Sequence, residues 1–126
     1  MGALQRVLVD VNGLMMPFQF KVNIDLELEK LVGRCEIVVP RQVLGELRNL
    51  SKAHPEARMA LALVKKYRVV DVDSMTPDEG IVELARREQA FVLTNDRGLI
   101  ARLKKERIKV IRLRSRSHLV LEGDFA

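Results

Sequence analysis

The chain has 126 residues, with 22 Lys and Arg against 17 Asp and Glu, a net charge of +5 and one cysteine, Cys35. That length builds one domain around one core; a lone thiol excludes an internal disulfide and fits the reducing cytoplasm; the positive balance favours an anionic partner. The longest charge-free run, Val11 to Phe20, is too short to span a bilayer, and no charged segment followed by an apolar one opens the chain, so neither a secretory signal nor a membrane partner is expected.

Arg6–Val11 reads as a first strand, apolar on both sides of Asp10, with Asn12 and Gly13 forming a turn after it. Met15, Met16, Phe18 and Phe20 then read as core packing, with a homodimer seam or partner groove as the other reading. Val22–Val32 carries Leu26, Leu28, Leu31 and Val32 and reads as a helix stopped by Gly33. Cys35–Val39 is a second strand ended by Pro40. Gln42–Ser51 is a helix with Val43, Leu44, Leu47 and Leu50 on one stripe. Pro55 opens another helix, and Arg68–Val72 is a short third strand. Thr76-Pro77-Asp78-Glu79 has the marks of a helix start: a hydroxyl cap, a proline at the first position and acids at the positive end. Ala90–Thr94 is a fourth strand, Arg97–Arg107 a helix, Lys109–Leu113 a fifth strand and His118–Leu121 a sixth at an edge. No repeat, low-complexity segment or linker interrupts the pattern, so a single domain over residues 1–126 is expected.

Such alternation implies an α/β domain, a mostly parallel sheet with helices on both faces. Ligands gather at the carboxyl ends of strands in these folds. Asp10 and Asp96 each follow an apolar strand and project to that rim. Asp78 and Glu79 open the helix after the third strand, so their turn belongs to the same rim. Glu46 lies beside the apolar stripe of its helix, where its side chain can reach over the rim. Carboxylates crowded into one pocket repel and raise one another's pKa. A hard divalent cation relieves this, and Mg²⁺ prefers oxygen donors. Zinc is not indicated, because Cys35, His54 and His118 are scattered. Three of the acids also have a simpler reading: Asp96 as a cap or turn former, Asp78 as a partner of the helix dipole, Glu46 as a solvated helix residue; Asp10, with apolar residues on both flanks, is harder to dismiss.

The ordered set VLVDVNGLM (7–15), EIVVPRQVLGELRNL (36–50), TPDEGIVELARRE (76–88), FVLTNDRGLIARL (91–103) and VIRLRSRSHLVLEG (110–123) resembles PIN-domain ribonucleases. The likeness is to archaeal members akin to toxin nucleases and to ribosomal RNA processing nucleases. The resemblance implies a three-layer α/β/α sandwich whose acids hold Mg²⁺ or Mn²⁺ and cut RNA. It carries the first acid onto Asp10, the helix acid onto Glu46, the third onto Asp78 with Glu79 in reserve, and the last onto Asp96. Asn12, Thr94 and Asn95 fall on supporting polar positions. It also implies an RNA substrate and either an antitoxin or a ribosome-assembly partner.

From Arg97 to Arg116 the chain carries Arg97, Arg102, Lys104, Lys105, Arg107, Lys109, Arg112, Arg114 and Arg116 against a single acid, Glu106. Beside an acidic pocket, Arg97, Arg102, Lys104, Lys105, Arg112 and Arg114 suit the phosphates of RNA. The other reading is a solvated helix face and a charge-protected edge strand. With no Trp and one Tyr, base stacking is a minor device. A phosphoacceptor receiver domain would need paired acids after the first strand and a Lys ending the fifth, where Lys109 begins it. A dinucleotide site would need a glycine-rich phosphate loop, which is missing. The rival from another class is a non-catalytic RNA-binding or ribosome-assembly module on the same fold.

Overall fold

A computed structural model describes residues 4–74 and 76–122. The elements run β1 (Gln5–Val9), α1 (Val11–Phe20), α2 (Ile24–Val32), β2 (Cys35–Pro40), α3 (Arg41–Leu50), α4 (Pro55–Val64), β3 (Arg68–Val70), α5 (Pro77–Glu88), β4 (Phe91–Leu93), α6 (Arg97–Lys105), β5 (Val110–Arg114) and β6 (His118–Leu121). They form one sheet in the order β3-β2-β1-β4-β5-β6. The first five strands are parallel, and β6 turns back antiparallel on β5.

Strand side chains alternate between two apolar layers. Val7 and Val9 of β1, Ile37 and Val39 of β2 and Leu93 of β4 pack with α1 to α4 on one face. Leu8, Val38, Val92 and Val110 pack with α5 and α6 on the other. This two-sided burial explains the unbroken Val7-Leu8-Val9 run, where a half-exposed strand would alternate with polar residues. The chain steps outward from β1 to β2 and β3, then crosses back to β4 on the far side of β1. Because such crossovers are right-handed, the reversal moves the later helices to the opposite face. The result is the expected three-layer α/β/α sandwich, with β1 and β4 flanking the switch point.

One expected element is corrected. Val11 does not extend the first strand, and Asn12-Gly13 is not a turn: α1 starts at Val11. Asp10 caps it by accepting a hydrogen bond from the Gly13 N–H at 2.9 Å. Pro17 lies inside α1 and removes one backbone donor, yet Leu14, Met15 and Met16 are buried and Phe18 and Phe20 pack half-buried against the same core. Burial of that face overrides the breaker residues. Elsewhere the ends shift by no more than two residues. Asn23 caps α2 through the Leu26 N–H and Gly33 (φ 84°) ends it. Thr76 caps α5 through the Glu79 N–H at 3.2 Å, with Pro77 at the first position.

At the amino ends of the strands, Arg6 and Arg68 pair with Glu36 and with Glu88 at the end of α5. Each exposed pair contributes about 0–1 kcal/mol, but the set ties α5 across β1, β2 and β3. Among the described residues no helix is long and apolar enough to cross a membrane.

Candidate active site

β1 and β4 lie side by side with Val9 opposite Leu93. The next residue of each strand is polar, so the register alone sets Asp10 beside Thr94. The Thr94 hydroxyl donates to Asp10 Oδ2 at 2.6 Å and accepts from the Asp96 N–H at 3.1 Å. Asp96 in turn caps α6, its Oδ1 accepting from the Leu99 N–H at 3.0 Å. Thr94 is fully buried and Asp10 only 9% exposed. Burial above all, with the negative charges of Asp96 and Glu46, pushes the Asp10 carboxyl up against the hydrogen bonds from Thr94 and Gly13, to about 6 in all. Asp10 therefore senses two of the other three candidate acids.

The fourth enters through Glu46. Partial burial and then the charge of Asp78 raise the Glu46 carboxyl above its ordinary value. Glu46 sits in the second turn of α3, which starts directly after β2, and Asp78 is the second residue of α5. The two helices are clasped near these acids. Gln42 Nε2 of α3 donates to the Ser74 carbonyl at 3.1 Å, just before α5. Gly80 leaves room for that clasp, because a Cβ there would lie 2.8 Å from Ser74 Oγ and 2.9 Å from Gln42 Oε1. The four acids thus influence one another in the sequence Asp78, Glu46, Asp10, Asp96. Glu79 lies elsewhere, in a depression shared with Glu83 and Arg102 on the α5–α6 side.

The donors are all carboxylate oxygens, which suits a hard cation. Among the described residues no three His, Cys, Asp or Glu side chains are gathered tightly enough to cage an ion with protein atoms alone. Mg²⁺ keeps several waters and uses one or two carboxylates beside a substrate phosphate, so it does not require such a cage. Of the supporting polar residues, Thr94 is the hub. Asn95 Oδ1 accepts from the Leu113 N–H at 2.8 Å and bolts the end of β4 to β5. Asn12 is exposed on the first turn of α1.

The basic residues do not form one strip. Arg97, Lys104 and Arg112 line one groove together with Asn95 and Glu122. Arg102 lies on the α5–α6 side. Lys105 and Arg114 are exposed, at the end of α6 and of β5. Glu122 pairs with Arg112 and approaches Lys104 at 3.8 Å. Sequence reasoning missed Glu122, Gln42 and the Gly13 N–H. Only the last had a signal, the Asp-x-x-Gly spacing of a helix cap.

A doubly wound α/β domain with carboxylates at the switch point of its sheet is the class that fold and site define. Residues 7–116 match the family model described as PIN like domain. The chain belongs to this family. It is similar to Ribonuclease VapC4 of Methanocaldococcus jannaschii, 30% identical over 127 residues that span 94% of this chain and 97% of the relative. In fold it is similar to the solved PIN domain endonuclease Utp24, with a TM-score of 0.81 at 21% identity over 93% of this chain and 90% of that one. A domain of a functionally unknown protein from M. jannaschii DSM 2661 aligns with a TM-score of 0.59 at 19% identity, over 88% of this chain and 92% of that one.

Proposed function

We propose that this protein is a divalent-metal-dependent endoribonuclease in which Asp10, Glu46, Asp78 and Asp96 hold Mg²⁺ or Mn²⁺. The observation that carries this reading is Asp10: a buried carboxylate, raised to about 6, that feels the charges of Asp96 and Glu46. Capping α1 does not account for it, because Asn or Ser caps a helix as well without placing a charge in a dry site. A bound divalent ion at these oxygens would supply an activated water and stabilise the leaving oxygen of a phosphodiester. The chain's own contribution is orientation. Thr94 and the Gly13 N–H fix both oxygens of Asp10, the cap bond to Leu99 holds Asp96, and the Gln42–Ser74 clasp holds α3 against the start of α5. The likeness to a curated relative named as a ribonuclease supports RNA as the polymer.

The test is cleavage of labelled RNA with Mn²⁺ and with EDTA, using Asp10→Asn as control. Product that forms with Mn²⁺ and disappears with EDTA and in the variant is expected. Product insensitive to both overturns the proposal. RNA binding without product in Mn²⁺ also overturns it, in favour of a non-catalytic RNA-binding or ribosome-assembly module.

A further inference from the structure

The groove between α6 and the β5–β6 hairpin has a volume of about 550 Å³ and is lined by Asn95, Arg97, Ile100, Lys104, Arg112 and Glu122, among others. Its lining includes Asn95, the residue between Thr94 and Asp96, so it reaches the chain beside the acidic rim. Arg97 and Lys104 are seven residues apart on α6, two turns along one face. Arg112 faces them from β5. One carboxylate, Glu122, is set among these cations: it is ion-paired with Arg112 and lies 3.8 Å from Lys104. All three groups keep water access, with side-chain exposures of 22% for Glu122, 37% for Arg112 and 44% for Lys104.

We propose that a single RNA strand leaves the acidic rim through this groove, and that Glu122 stands in for a phosphate there until the strand displaces it. The inference rests on the reading of the protein as a ribonuclease, which makes RNA the anion. A carboxylate and a phosphate present the same face to a guanidinium, two oxygens accepting from a fork of N–H donors. Exchange of one for the other keeps Arg112 paired before and after binding. It releases Glu122, already 22% exposed, to turn outward into water. The opposite flank suits a polyanion less, because Asp73, Glu79, Glu83 and Glu106 line it together with Arg86, Arg87 and Arg102, and Arg86 is paired with Glu106. Glu122 thereby sets the strength of the groove: it holds the two cations in place and weakens the free protein's grip on any polyanion.

The experiment is fluorescence anisotropy of a fluorescein-labelled single-stranded RNA in EDTA, over a range of salt concentrations, with cleavage in Mn²⁺ measured in parallel. Glu122→Gln removes the competing charge while the hairpin keeps its Glu122 N–H to Val110 carbonyl bond. It should bind about three- to tenfold more tightly at low salt and with a steeper salt dependence. Arg97→Ala and Arg112→Ala should bind more weakly with shallower salt dependence, and Arg102→Ala should bind as the wild type does. An unchanged affinity in Glu122→Gln, or a loss in Arg102→Ala equal to that in Arg112→Ala, overturns the proposal. Tight binding of a polyglutamate peptide without RNA binding also overturns it, and assigns the groove to an acidic protein. Absent cleavage with the predicted binding pattern overturns the nuclease reading alone. Cleavage with flat binding across the variants overturns the groove alone.

Discussion

The Thr94 hydroxyl donates to the Asp10 carboxylate at 2.6 Å, although 84 residues separate them in the chain. The same oxygen accepts from the Asp96 N–H, so one buried hydroxyl couples the two acids that end β1 and β4. Thr94→Val keeps the shape and removes both bonds. The Asp10 carboxyl should then rise above about 6, because the bond from Thr94 is the chief interaction holding it down. Stability should fall by about 1–3 kcal/mol as the two partners lose their match in a buried site. Carboxyl NMR titration in EDTA and urea denaturation check both effects, and Thr94→Ser should restore them. Unchanged values in Thr94→Val would make the bond incidental.

The raised Asp10 carboxyl links stability to pH with a definite sign. Its folded value of about 6 exceeds the ordinary 3.8, so the folded chain holds the proton more tightly than the unfolded one. The stabilisation from protonated Asp10 is complete below 3.8 and is lost as pH rises to about 6. The full shift corresponds to about 3 kcal/mol, an upper figure. Asp10→Asn carries no charge at any pH and should not show this loss. In EDTA it should be more stable than the wild type by about 1–2 kcal/mol at pH 7, and the advantage should vanish near pH 4. Urea denaturation at both pH values decides. A large loss of stability at pH 7 would mean that the carboxylate is structural and would remove the basis for a metal site.

The layers and the rim were legible because parallel strands buried on both faces carry nearly unbroken apolar runs, and because each strand runs straight into its polar residue. What the sequence could not separate was cap from site. Asp10 and Asp96 both cap helices, accepting from Gly13 and Leu99, and both also bond to Thr94. α1 was hidden because Asn12, Gly13 and Pro17 signal turns locally, and only the burial of Leu14 to Met16 against the sheet outweighs them. The division of the basic residues depended on the β5–β6 register, which pairs Ile111 with Leu121 and brings Glu122 to Arg112. No charge count along the chain contains that pairing.

Gly13 and Gly45 are both helical glycines, and they should respond to alanine with opposite signs. A Cβ on Gly13 would lie 2.6 Å from Val9 Cγ1 and 3.0 Å from the Leu93 carbonyl oxygen. These belong to the two central strands, which have little room to yield. Overpacking of this kind costs about 1–3 kcal/mol and outweighs the gain in helix propensity of about 1 kcal/mol. Gly13→Ala should therefore be less stable and should disturb the N–H bond to Asp10. Gly45 has nothing within 4 Å of its Cβ position, so Gly45→Ala should gain about 0.5–1 kcal/mol. Thermal melts of the two variants test the pair. A stabilised Gly13→Ala would show that α1 shifts freely against the sheet.

Asp78 and Glu79 are neighbours with different surroundings, and substitution should separate them. The charge of Asp78 raises the Glu46 carboxyl, whereas Glu79 contributes nothing resolved there and lies on the α5–α6 side. Asp78→Asn should weaken Mn²⁺ binding by about 10–100-fold and let the Glu46 carboxyl fall towards its ordinary value. Glu79→Gln should leave Mn²⁺ affinity and cleavage close to wild type, at a cost of about 0.3–1 kcal/mol from the lost charge at the start of α5. Calorimetric titration with Mn²⁺ and RNA cleavage rates distinguish them. Equal losses in both variants would mean that the first turn of α5 rotates on binding and that both acids reach the ion.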